Sequence, residues 1–190
     1  MVKKQAKKEL SFTQSIEQGL KYPWNKASRL WYILWILVPI FGWFALIGYM
    51  KTIVKELVTK QRKELPEFGP FWDNFTQGVK VIIFIIPTYI VLSLIGAVPI
   101  IGTALYYIVS IFIIPWLMIN FFVKDSFSAL WELQKAFDIV FNNAVEYIIA
   151  AIKTLIYEVV YGLLSIVLIG IPCYAFGNLY FLTDFYKKYN

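Results

Sequence analysis

Glu158 is the residue whose type and setting most strongly suggest chemistry, because it is the one formal charge within the apolar stretch Thr154–Thr183. A carboxylate about one turn inside an apolar helix is costly to keep ionised. Such groups face a protein interior, pair with a cation or serve an ion path. Lys153 and Thr154 lie nearby, and Tyr161 shares the helix face of Glu158. Three roles follow: Glu158 sits at the cytoplasmic border paired with Lys153 or another basic group, carries a proton or substrate, or contacts a second subunit. A second acid, Glu67, lies in Leu65-Pro66-Glu67-Phe68. It could accept hydrogen bonds from a helix N-terminus near Asp73 to Gly78, or dock a partner.

Other chemistry is thinly represented. The chain has no histidine and one cysteine, Cys173. That removes the common neutral-pH proton shuttle, the usual imidazole metal ligand, an internal disulfide and any thiolate cluster. No phosphate-binding glycine loop, serine nucleophile elbow or metal-ligand spacing is present. No cofactor, metal or catalytic residue is therefore expected, and the protein reads as a non-enzyme.

The elements that must position these residues belong to a membrane protein. Of 190 residues, 59% are hydrophobic and only 16% charged, with mean hydropathy +0.64. Soluble domains carry roughly a quarter charged residues. Leu30–Met50, Val81–Val123 and Thr154–Thr183 are free of charge except for Glu158, and all 18 Lys and Arg lie between or outside them. Val81–Val123 alone is about twice the ~20 residues that one crossing needs. The N-terminal Lys3, Lys4, Lys7 and Lys8 are followed by a polar amphipathic stretch rather than an apolar run, so they do not read as a cleaved signal.

A proline and a glycine interrupt each apolar segment: Pro39 with Gly42, Pro99 with Gly102, and Pro172 between Gly170 and Gly177. Each pair predicts a reversal, so the expected fold is an all-α membrane protein of helical hairpins broken at Pro-Gly turns. The predicted organisation is one domain: an interfacial helix over 10–22, a first hairpin or kinked span over 30–50, a basic connector over 51–80, a helical hairpin over 81–123, an amphipathic region over 124–153 and a hairpin over 154–186. Leu30–Val38 would be only about 14 Å of α-helix, about half the hydrocarbon thickness. A shallow hairpin there puts every Lys and Arg on one face, which the positive-inside rule favours over a single crossing. The layout of arm, break, arm and charged stretch occurs three times, as a weak internal repeat.

Leu10–Lys21, Lys51–Lys63 and Ser126–Asn142 read as amphipathic helices lying in the interface. Trp24, Trp31, Trp72 and Trp131 fall near segment ends, where indoles favour the headgroup layer. The basic face should attract anionic lipid headgroups. Because the +6 balance is divided among membrane segments, nucleic acid is not an expected partner. Thr88, Ser93, Ser110, Asn120 and Ser165 fit interhelical hydrogen bonds, and Cys173 fits packing.

Tyr22-Pro23, Pro39 with Gly42, Gly48-Tyr49, a basic helix, Leu65-Pro66-Glu67-Phe68 and Gly78 follow one another in an order that resembles an uncharacterised prokaryotic membrane family, frequent in archaea and catalogued as domain of unknown function 4013. The likeness is best over residues 16–80. The acidic pair that often follows the Leu-Pro-Glu-aromatic element in that family is replaced by Gly69-Pro70-Phe71-Trp72 before Asp73. The resemblance implies the membrane architecture and no activity.

The expected protein is therefore a multi-pass component of the cell membrane with cytoplasmic termini. Its expected role is structural or accessory, in membrane organisation or complex assembly, as a homo-oligomer or within a larger complex. The alternative is a small oligomeric transporter or channel using Glu158, with Thr88 or Asn120 lining a wet path.

Overall fold

The computed structural model describes residues 10–60 and 63–190, which are helical with no strand among them. Helix α1 (Phe12–Lys21) begins at a capping box: the Ser11 side chain accepts from Gln14 N–H and the Gln14 side chain accepts from Ser11 N–H. A 3-10 segment, Tyr22–Leu37, follows and is divided by the non-helical backbone of Lys26. At about 2.0 Å rise per residue, its Leu30–Leu37 part reaches farther than an α-helix of equal length.

The chain then reverses at Val38–Ile40 into α2 (Phe41–Thr59). An irregular return over 63–70 leads to α3 (Phe71–Gly96). A second reversal at Val98–Ile100 opens α4 (Ile101–Ile108), a π-turn (Val109–Ile113) and α5 (Ile114–Lys124). The π-turn runs into Pro115, whose missing N–H frees the Ile111 carbonyl four residues back. Tyr147 Oη donates to that carbonyl at 2.8 Å. A short 3-10 turn (Phe127–Trp131) precedes α6 (Leu133–Asn142) and α7 (Ala144–Leu164). The chain ends in α8 (Gly170–Gly177) and α9 (Tyr180–Tyr189).

Three helices are long and apolar enough to cross a membrane: Phe71–Gly96, Ile101–Lys124 and Ala144–Val167. The segment 30–50 supplies none of them. Its reversal lies against the start of α3, where the Phe41 ring meets Trp72 and Phe75 and Trp35 meets Phe71. The other reversal follows the far end of that helix. At 1.5 Å per residue, the 26 residues of α3 separate the two turns by about 39 Å.

The boundaries differ from the sequence expectation in three places. The expected connector over 51–80 is divided between the end of α2, the return over 63–70 and the first turns of α3, which starts at Phe71. Helix α7 starts at Ala144, so Lys153 and Glu158 share one helix and the amphipathic region ends earlier than 153. Pro172 does not form the third turn. The left-handed residue there is Leu168 (φ 64°), Leu168 N–H bonds to Ser165 O, and Pro172 occupies the first turn of α8. Its missing N–H is harmless at that position, since first-turn amides have no intrahelical partner.

Candidate functional site

Helices α2 and α3 cross with their backbones in close approach. A Cβ on Gly48 would fall 1.9 Å from the Asn74 carbonyl oxygen, and one on Gly78 would fall 1.8 Å from that of Phe44. Only residues without side chains allow backbones this near. The two helices run in the same direction, with Phe44 beside Phe75 and Lys51 beside Gln77. A co-directional pair needs the intervening chain to travel back, and residues 63–70 do so without helix or strand, bending at 63–64 and turning at Gly69 (φ 69°).

That return segment leaves its carbonyls without helix or ladder partners, and side chains from three elements satisfy them. Asn25 Nδ2 donates to Lys63 O at 2.6 Å. Arg29, buried, donates to Leu65 O. Tyr49 Oη donates to Pro66 O at 2.7 Å, and Asn74 Nδ2 donates to Phe68 O. Leu65 and Phe68 point into the core. Glu67 is mostly exposed and pairs with Arg29 at 3.2 Å, as Glu64 does at 3.3 Å. Glu67 thus meets a guanidinium from the 3-10 segment, and no bond from the Asp73–Gly78 amides to it is present among the described residues.

A second polar cluster lies at the foot of the α3–α4 hairpin. Lys51 Nζ, from α2, is 2.6 Å from Asp125 Oδ1, and Lys80 Nζ, from α3, is 2.8 Å from the same oxygen. Lys51 also donates to Gln77 Oε1. Asp125 holds this position with a left-handed backbone (φ 54°) that stops α5. Burial pushes the Lys51 ammonium below its ordinary value, against the opposing pull of Asp125. Burial also works to raise the Asp125 carboxyl, but the hydrogen bonds and charges of Lys51 and Lys80 outweigh it and hold it low. Lys124 pairs beside this cluster with Glu132 at 2.6 Å.

Helix α7 buries one stripe, Tyr147, Ala150, Thr154, Tyr157 and Tyr161. Its tyrosines each donate to a carbonyl of another element: Tyr147 to Ile111, Tyr157 to Cys173 at 2.5 Å, and Tyr161 to Leu20. Lys153 and Glu158 flank this stripe on opposite sides, about 140° apart at 100° per residue. They do not pair. Lys153 donates to Ser15 Oγ at 3.0 Å and lies over the Phe12 ring. Glu158 is half-buried and has no hydrogen bond or ion pair among the described residues.

The residues considered for a wet path do not converge. Asn120 is fully buried, donates to Ala129 O at 2.9 Å and accepts from Tyr186 Oη at 2.8 Å. A small pocket between α2 and α8–α9, with room for about one water, is lined mostly by apolar groups, including Ile53, Leu57, Phe176 and Leu179. A shallow depression on the outer face of α3 holds Ile86, Tyr89, Ile90, Ser93 and Leu94. Neither contains Glu158, Thr88 or Asn120. No group of three or more potential metal-ligating side chains occurs among the described residues.

Sequence reasoning passed over Arg29, Lys51, Lys80 and Asp125. A usable signal was present for two of them. Lys80 and Asp125 bracket the apolar run 81–123, and charges at the two ends of a hairpin meet at its foot.

An all-helical chain with three potential membrane-crossing helices, closed by buried tyrosine and lysine contacts, defines a membrane-type protein. The sequence profile described as "protein of unknown function (DUF4013)" matches residues 31–173, and the chain belongs to that family. No curated protein and no solved structure matches it.

Proposed function

We propose that this chain is a multi-pass component of the cell membrane with a structural or accessory role, organising lipid or assembling with other membrane proteins, its termini and basic connector on the cytoplasmic side. The observation that carries the reading is the division of labour between side chains. Most of the polar groups described above are spent closing the bundle, while the hairpin of α3 and α4 turns aliphatic residues outward along both arms. Leu94, Ile100 and Ile101 are 68, 85 and 71% exposed. Such a surface is stable only against lipid or another apolar partner.

In this reading the α3–α4 hairpin and α7 enter the hydrocarbon, and after the reversal at Leu168 α8 and α9 carry the chain back, so that both termini stay on one face. The first hairpin lies across the headgroup layer at the other end of α3, with the exposed indoles of Trp31, Trp43 and Trp72 in it. Helix α6 adds a further interfacial face, burying Ala136 and Val140 and exposing Phe137 and Phe141. Wedging of apolar elements into one leaflet would bend a bilayer.

Labelling in whole cells with a membrane-impermeant maleimide tests the arrangement. Cys173 is fully buried, so the native thiol is a silent background. Lys60→Cys is expected to stay unlabelled until the cells are opened, and the protein is expected to remain in the membrane after alkaline carbonate washing. Labelling of Lys60→Cys from outside, or release by carbonate, would overturn the reading. Purified protein that leaves the size and shape of liposomes unchanged would remove the bending role.

A further inference from the structure

The foot of the α3–α4 hairpin carries more positive charge than its own carboxylate can balance. Lys51 and Lys80 share one oxygen of Asp125, and Lys55, one turn beyond Lys51 on the same face of α2, adds a third ammonium. Among the described residues, Asp125 is the acid that pairs with Lys51 and Lys80. The neighbouring Glu132 is engaged at 2.6 Å by both of its oxygens with Lys124.

The three cations differ in availability. Lys51 is buried and has two acceptors, Gln77 and Asp125. Lys80 is about one-third exposed, and both its bonds go to Asp125, one to Oδ1 at 2.8 Å and a longer one to the carbonyl at 3.4 Å. An ammonium has three N–H donors, so Lys80 has capacity left on its open side. Lys55 is exposed and has no acceptor among the described residues.

Depth then selects the ligand. Lys80 directly precedes the apolar run of α3, and Asp125 directly follows α5. Lys80 and Asp125 therefore sit at the level where acyl chains give way to headgroups, and Lys55, one turn or about 6 Å farther along the co-directional α2, reaches that level from its apolar side through its long side chain. Lys80 lies over the Phe84 ring at 5.6 Å, which holds the ammonium beside the apolar wall of the hairpin.

We propose that this foot is a binding site for the phosphate of an anionic phospholipid, with Lys80 and Lys55 as its donors and Lys51 as the buried charge behind them. The proposal rests on the membrane reading above and assigns the attraction for anionic headgroups, expected of the basic face as a whole, to one site. A bound phosphate would also offset the burial that works against the Lys51 charge.

The test uses the full chain in nanodiscs of phosphatidylcholine, with and without phosphatidylglycerol, and reads retention of labelled phosphatidylglycerol at high salt. Salt suppresses diffuse attraction to a basic surface more than contact at a partly buried site. Lys80→Gln and Lys55→Gln are each expected to weaken retention about tenfold, corresponding to ~1.4 kcal/mol. Lys21→Gln, in the exposed α1 pair with Glu17, should leave it unchanged.

Lys55→Gln guards against a folding artefact, since Lys55 holds no other element in place. Equal losses in all three variants would mean diffuse attraction and overturn the site. Competition by inorganic phosphate in place of lipid would assign the cluster to a soluble anion and also overturn it. If the chain stays in the bilayer after carbonate washing yet shows no phosphatidylglycerol preference, this inference falls and the membrane reading stands.

Discussion

The turns at Val38–Ile40 and Val98–Ile100 share the tripeptide Val-Pro-Ile and the same backbone. Ile40 has φ 65° and ψ −66°, and Ile100 has φ 63° and ψ −72°. Each is the centre of a γ-turn, with Phe41 N–H bonded to Pro39 O at 2.7 Å and Ile101 N–H to Pro99 O at 2.8 Å. Glycine follows at the same offset in both. A Cβ on Gly42 would strike the Trp35 carbonyl, and one on Gly102 would strike that of Ile95.

Their surroundings have little in common. The arms of the first turn carry Tyr32, Trp35, Gly48 and Tyr49, and they pack against Phe68, Phe71 and α3. The arms of the second carry aliphatic residues that face outward. A short local sequence therefore sets the reversal, whereas the composition of the arms decides whether the hairpin joins a protein core or faces an apolar solvent.

If the first hairpin is held by close backbone approach, breaking that approach should have the largest effect. Gly48→Leu is expected to cost at least about 3 kcal/mol, because the obstruction is the Asn74 backbone rather than a movable side chain. Gly162→Leu on α7, where a Cβ meets nothing within 4 Å, is the matched control and should be near neutral. Chemical denaturation in detergent reads both. Equal effects would mean that the α2–α3 crossing is not what holds the first hairpin.

Next in size is the return segment. Arg29→Met leaves the Leu65 carbonyl and two carboxylates without their donor, and about 2 kcal/mol should be lost. Tyr49→Phe removes one neutral bond to Pro66 and should cost about 1 kcal/mol. Neither should increase hydrogen exchange in 98–113, since the second hairpin has no share in this network.

The second hairpin is tied down at its foot, so acid should loosen it selectively. The folded-state pKa of Asp125 lies below its unfolded value. Its contribution is therefore present above the ordinary carboxylate range and is lost as pH falls through the lower, folded value. Exchange protection in 81–124 is expected to fall below about pH 4. Asp125→Asn should reproduce part of that loss at neutral pH, at about 1–2 kcal/mol, by leaving two lysines facing each other. Unchanged protection in the variant would show that the foot does not anchor the hairpin.

Much of this architecture was legible in the chain because apolar length and proline placement are local signals. Tyr22-Pro23, Gly48-Tyr49, Leu65–Phe68 and Gly78 pointed to the family, and the structure supplies a physical reason for their order. Gly48 and Gly78 form the crossing, Tyr49 holds the Pro66 carbonyl, and Tyr22 packs on Tyr180. The sharing of Asp125 by Lys51 and Lys80 was not legible, since those residues are up to 74 apart and meet only once α2 and α3 run in the same direction. Nothing in periodicity sets that direction; it depends on the irregular return over 63–70. The third turn was misplaced for a related reason. Pro172 is tolerated in a first helical turn, so proline alone did not mark the reversal, and Leu168 carries no comparable sign.

The smallest expected effect bears most directly on the two turns. Positive φ with ψ near −70° is costly for a β-branched residue, by about 1–3 kcal/mol. Glycine removes that cost at either site and gives back some of it as unfolded-state entropy. Ile40→Gly and Ile100→Gly are therefore each expected to stabilise the protein by about 1 kcal/mol in detergent. In lipid the two should part. Ile100 is 85% exposed at the tip of an apolar hairpin, so its replacement also withdraws aliphatic surface from the bilayer, at about 25 cal/mol per Å², and the gain should shrink or reverse. Ile40 is expected to keep its gain if the first hairpin remains at the membrane surface. Parallel behaviour of the two variants in detergent and in lipid would show that both turns meet the same surroundings.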